Sequence, residues 1–149
     1  MIRLLTIIVL LAFANMMQGK NDVEMITINV DSPLNAQQKV TAHMKAGNYD
    51  GTIGIKLRGN SSLSFNQKKY TIELRDGEGK EINAPLLGMP AHSDWVLLAP
   101  YNDVSMVRDP LAFQLWRDMG HRGPRTRMVE LQLNGEYRGI YILSEAIKR

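Results

Sequence analysis

GTIGIKLRGNSSLSFNQKKYTIELR, residues 51–75, holds two runs of alternating apolar and polar residues around a loop of small polar ones. Ile53, Ile55 and Leu57 share one face of the first run, and Tyr70, Ile72 and Leu74 share one face of the second. A period of two marks a half-buried strand, so the stretch predicts two strands. By the same parity Lys68 points to the apolar side of the second strand. The connecting Arg58-Gly59-Asn60-Ser61-Ser62 consists of residues that tolerate unusual φ or hydrogen-bond locally, which is the chemistry of a turn.

Further strands lie on both sides of this pair. Residues 25–30 alternate with β-branched residues, and Asp31 to Asn35 reads as a turn. Val40 to Met44 is a weaker strand, ended by Gly47-Asn48. Asp76-Gly77-Glu78-Gly79 is a tight turn, Leu86 to Pro90 an apolar loop, and Trp95 to Ala99 a short buried strand stopped by Pro100. One helix is predicted over 110–119. Asp109 is its expected N-cap and Pro110 its first residue, Leu111, Leu115 and Met119 recur every four, and Gly120 ends it. Asn134-Gly135 between the alternating runs 126–133 and 136–144 is a strong hairpin signal. Six or seven strands with one helix predict an α+β domain, a mainly antiparallel sheet with one principal helix.

The chain has 149 residues, 44% of them hydrophobic and 22% charged, which is a globular composition. It has no cysteine, which removes disulfides, thiolate metal sites and a cysteine nucleophile. A net charge of +3, without a clustered basic stripe, gives no reason to expect a nucleic-acid partner. Residues 1–19 read as a secretory signal peptide: Arg3, an apolar run from Leu4 to Ala14, then cleavage after Ala14 or Gly19. The run is too short for a membrane span, which takes about 20 apolar residues. With no cysteine to carry a lipid, the mature chain 20–149 is expected to be secreted or periplasmic.

Chemistry is sparse by motif. His43, His92 and His121 lie far apart and read as solvated loop residues; no nucleophile elbow or Walker loop is present. Asp94, Asp103 and Asp109 read as caps and turns. Arg125 and Arg127 share a strand face, as an anion contact or a solvated edge. Gly139 sits inside a strand, where glycine marks a bulge or a close approach. The most suggestive arrangement is the Arg58–Ser62 loop followed by an inward Lys68. Free backbone N–H groups with a lysine nearby suit phosphate oxygens.

These residues resemble the spore coat protein H (CotH) kinase family. The resemblance runs through Tyr49 to Ser62, Lys68-Lys69-Tyr70, Leu86 to Ala91, Asp94 to Tyr101, the helix 109–120, Arg125 to Leu131, Asn134 to Tyr141 and Glu145 to Arg149. It implies the N-terminal lobe of an atypical, secreted protein kinase that binds ATP with Mg²⁺ and phosphorylates protein hydroxyls. Arg58, Gly59, Asn60, Ser61 and Ser62 would then face the phosphates and Lys68 would contact them. Glu145, Lys148 and Arg149 would lie near the nucleotide. Gln67, Val104, Asp109 and Ala146 depart from the usual family residues. The family's catalytic and metal-binding aspartates are expected in a C-terminal lobe. This chain is therefore expected to be an N-terminal portion, inactive by itself and exposing apolar surface that the other lobe covers. The alternative is a non-catalytic exported β-rich module that binds a protein or cell-surface partner.

Overall fold

A computed structural model of the chain describes residues 23–147. The signal peptide expected over 1–19, and Lys148 and Arg149, lie outside the described residues. Among these residues are nine strands and one α-helix: β1 (Glu24–Asn29), β2 (Val40–Ala46), β3 (Tyr49–Arg58), β4 (Lys69–Leu74), β5 (Ala84–Leu86), β6 (Met89–His92), β7 (Asp94–Leu98), α1 (Arg108–Asp118), β8 (Thr126–Leu133) and β9 (Glu136–Glu145).

Seven strands close into a barrel in the order β1-β2-β3-β4-β7-β9-β8, and β5 pairs with β6 as a separate ribbon. Neighbours in the barrel are antiparallel except at the closing seam, where β1 runs parallel to β8 with Ile26 opposite Leu131 and Ile28 opposite Leu133. Asn134, in the β8–β9 turn, fastens that seam. Its side chain accepts from Val30 N–H at 2.8 Å and donates to Val30 C=O at 2.9 Å. Asn134 and Gly135 both have positive φ, 51° and 79°, as the two-residue hairpin requires.

Alternation delivers the core. Ile26, Ile28, Met44, Ile53, Ile55, Ile72, Leu74, Leu97, Leu131 and Leu143 are fully buried in one cluster inside the barrel. Each such side chain contributes about 1.5–3 kcal/mol of transfer free energy.

The α+β expectation is overturned. The molecule is mostly β, a closed seven-stranded barrel, and it does not have the α+β architecture of a kinase N-terminal lobe. Two physical reasons account for the difference. The parallel β1–β8 pairing closes the sheet on itself, so the strands bury their apolar faces against one another without a covering layer. α1 buries no residue at all: Leu111, Leu115 and Met119, its predicted core stripe, are 54%, 54% and 69% exposed.

α1 also starts earlier than its expected cap. Asp103 accepts the Arg108 N–H at 2.9 Å, and the N-cap is Val107, so Asp109 falls inside the first turn. The expected loop at 86–90 is instead the turn of the β5–β6 ribbon, with Leu87 and Gly88 at φ 49° and 78°. Leucine at positive φ is not a turn signature, which is why the ribbon was not expected.

Candidate functional site

The connection from β3 to β4 is folded by local constraints. Gly59 has φ +121°, and a Cβ placed on it would stand 2.1 Å from Ser62 Oγ, so only glycine fits. Ser61–Ser64 forms a 3₁₀ turn, in which Leu63 N–H donates to Asn60 C=O at 3.1 Å and Ser64 Oγ to Ser61 C=O at 2.8 Å. Lys68 then closes the loop from its far end. Its Nζ donates to Leu63 C=O and Phe65 C=O, each at 2.6 Å. An ammonium carries three donors, so one remains for a ligand.

Lys68 opens into a cavity of about 480 Å³, bounded also by Arg138, Tyr70, Tyr101, Tyr137 and Tyr141, and no carboxylate lines it. Tyr70 and Tyr141 belong to the barrel core, with ring centroids 6.1 Å apart, so they form the floor. Burial pushes both phenols above their usual range. For Tyr141 the neighbouring Tyr70 adds to the effect, and the charge of Arg138 opposes the rise at both. Tyr101 forms part of the wall and stacks on Phe65 at 5.0 Å.

Arg138 reaches the cavity through a fault in the β8–β9 ladder. Leu131 faces Gly139, but the next residue, Gln132, faces Tyr137, which leaves Arg138 surplus. Gly139 takes φ +93° at this point. A bulge of this kind re-aims side chains that strict alternation would place elsewhere. From the neighbouring loop Gln67 Nε2 donates to Ile140 C=O at 2.8 Å and bridges to this part of β9.

The residues expected from the sequence divide three ways. Lys68 lines the cavity. Arg58, at the end of β3 opposite Lys69, and Gly59, Asn60, Ser61 and Ser62 build the loop that Lys68 holds but do not line the cavity. Glu145 is elsewhere. By register it is level with Trp95 and Ile72, four residues or about 13 Å along the strands from Lys68. Its carboxylate accepts from Arg125 N–H at 2.8 Å and Arg125 Nη1 at 3.1 Å, and it borders a different, apolar cleft of about 640 Å³ with Phe113, Trp116 and Ile147.

Other candidates resolve into structure. Arg125 is thus engaged, and Arg127 Nη1 lies 3.8 Å from Glu24. His43 and His92 sit in strands, where loop positions were expected, and His43 faces Asp50 at 3.0 Å. Asp103 is a turn residue as expected, whereas Asp94 pairs with Lys39 at 3.3 Å. Arg138 and the tyrosine walls were missed. The only sequence signal for them was Gly139, a glycine in a strand.

The cavity suits the phosphates of the implied ATP: it offers two cations, phenol hydroxyls and no competing carboxylate. It does not suit Mg²⁺ held by protein. Among the described residues no three His, Asp or Glu side chains gather around a common point. No helix among them is long and apolar enough to cross a membrane.

The fold and the cavity together define a class: a small β-barrel domain whose one end carries a cationic, tyrosine-walled cavity. Within that class the chain belongs to the CotH family, since the family model described as CotH kinase protein matches residues 55–149. That match spans the cavity, from mid-β3 through β9. No curated protein matches the chain.

Proposed function

We propose that the barrel-end cavity binds the phosphates of ATP, and that the chain supplies this nucleotide-holding part of an exported CotH-type protein kinase acting on protein hydroxyls. The observation that carries the reading is Lys68. It stands just before β4, lashed to two loop carbonyls, with a donor to spare toward a carboxylate-free cavity. Phosphoryl transfer depends on positioning and on neutralising charge. Lys68 would orient and neutralise a phosphate, and the buried tyrosines beneath would keep water from that side. ATP supplies the transferable phosphoryl group, and magnesium would arrive on its phosphates. The described residues offer no carboxylate set for the metal or for a general base, so the activity proposed for them is binding. The apolar run of residues 4–14 supports export.

Calorimetric titration of the full chain with Mg-ATP tests this reading. Lys68→Ala is expected to weaken binding at least about tenfold, in line with loss of a charge-assisted hydrogen bond from a partly enclosed site. Wild-type affinity in that variant would sink the assignment. A second reading, an exported β-rich binding module without nucleotide, draws on the exposed stripe of α1 and the apolar cleft beside it. Absence of any ATP binding by the native chain would favour it.

A further inference from the structure

We infer that Arg138 is the second cation of the phosphate site, and that the bulge at Gly139 exists to put it there. This rests on the reading of the cavity given above and extends it from one residue to a two-point clamp.

Three observations converge. Arg138 and Lys68 line the same cavity although they come from β9 and the approach to β4, strands separated by β7. Two cations delivered from separate strands can grip successive phosphates of one chain, which a single lysine cannot. The bulge is the second observation. Arg138 is the residue left without a cross-strand partner, and Gly139 absorbs the distortion at φ +93°, where an L side chain would be strained. An uninterrupted ladder would give residue 138 a partner on β8 and fix its side chain in the alternation. The third observation is electrostatic. Arg138 borders the cavity beside both floor phenols, Tyr70 and Tyr141, and its charge opposes the rise that burial imposes on them.

Its chemistry suits the role. Arg138 Nη2 donates to Glu136 Oε2 at 2.6 Å, a pair in which the carboxylate is 70% exposed. Such a surface pair is worth little, about 0–1 kcal/mol, so a phosphate can displace it. A guanidinium also offers a planar fork that matches two phosphate oxygens at once, whereas Lys68 acts as a point charge. The clamp is therefore selective for a chain of phosphates over a single one: Lys68 holds one group and Arg138 the next.

Inorganic triphosphate, which has no base or sugar, is the probe. The full chain and its Lys68→Ala, Arg138→Ala and Arg138→Lys variants are titrated with triphosphate and with orthophosphate. Arg138→Ala is expected to lose about tenfold in triphosphate affinity and much less for orthophosphate, while Arg138→Lys recovers only a small part of the loss because the charge returns without the fork. A purely structural role for Arg138 would not separate the two anions. Wild-type triphosphate binding by Arg138→Ala, beside weakened binding by Lys68→Ala, would overturn the clamp and leave the Lys68 reading standing. If the native chain binds no triphosphate, or neither variant changes it, both fall.

Discussion

β4, β7 and β9 lie side by side, and their two ends carry opposite chemistry. At one end Lys39 bonds to both Glu73 and Asp94, Arg75 donates to Glu73 at 2.8 Å, and Glu145 holds Arg125. At the other end Lys68 spends two donors on carbonyls and Arg138 leans on an exposed carboxylate, with no acid in the cavity between them. The lesson is that a charge count does not locate a site. Cations whose partners are carboxylates have their field cancelled in place. Cations held by neutral carbonyls are positioned while their charge remains available to a ligand. Both ends are polar, but only at the cavity end is a cation, Lys68, held by neutral carbonyls rather than by carboxylates.

The comparison requires both ends to hang on one framework, and the largest expected effect tests that. Trp95 is fully buried on β7, between the two neighbouring strands, and its Nε1 donates to His92 C=O at 3.0 Å. Trp95→Ala is expected to cost about 3–5 kcal/mol in denaturant unfolding, from lost transfer energy and a cavity. It should also abolish triphosphate binding at the distant end. Retained binding at that cost would show the cavity end to be an independent folding unit.

Titration separates the ends at opposite limits of pH. Burial pushes the Glu73 carboxyl up, but the hydrogen bonds and charges of Lys39 and Arg75 outweigh it and hold the group below its ordinary 4.5. A lowered folded value means that this contribution is present above about pH 4.5 and is lost as pH falls through the folded value. Lys39→Ala should cost about 1–2 kcal/mol at neutral pH, by stranding partly buried acceptors, and should flatten the acid limb of the stability curve. Tyr70 and Tyr141 run the other way. Their folded values are raised above 10.0, so stability is intact below that pH and falls as pH rises beyond it. Tyr141→Phe should flatten the alkaline limb while leaving the acid limb as it was. Unfolding midpoints measured from acid to alkaline pH would check both. If either substitution moved both limbs, the two ends would be coupled and the contrast between them would fail.

How much of this could be read beforehand depended on whether a feature is written in the local period. The strands around residues 51–75 and the Asn134-Gly135 hairpin are, because alternation and turn chemistry act between near neighbours. The barrel is not: its closing contact joins Val30 to Asn134, and nothing in the period of β1 states which strand it will meet. α1 shows the reverse failure. Leu111, Leu115 and Met119 have helical spacing, but spacing says only that a stripe exists and not that anything covers it. The site divides in the same way. Lys68 follows from the parity of β4 extended back by one residue. Arg138 does not, because the surplus residue at the bulge breaks the alternation, and Gly139 was the only mark it left. Glu145 came from family resemblance without geometry, and it landed at the paired end.

That placement makes Glu145 a sharper probe of the contrast than of the ligand. Glu145→Gln removes the charge partner of a half-exposed Arg125 while keeping an oxygen near its N–H, and should cost about 0.5–1 kcal/mol. Triphosphate affinity should not change. A tenfold loss there would mean that Glu145 reaches the nucleotide across about 13 Å of strand, and the division of the sheet into a paired end and a binding end would have to be abandoned.

The smallest expected effect concerns the element that belongs to neither end. Leu115 on α1 is 54% exposed, and no residue of the helix is fully buried. Leu115→Gln removes little apolar area from any contact and keeps a good helix former, so unfolding should move by no more than about 0.5 kcal/mol. Triphosphate binding should be unchanged. A much larger loss would mean that α1 supports the barrel and that its stripe has a partner within the domain. A null result would leave Leu111, Leu115 and Met119 as apolar surface maintained for something other than this domain's own stability. A helix with no fully buried residue, which carries Leu111 and Leu115 at the spacing of one face, is the part of the molecule least explained by folding alone.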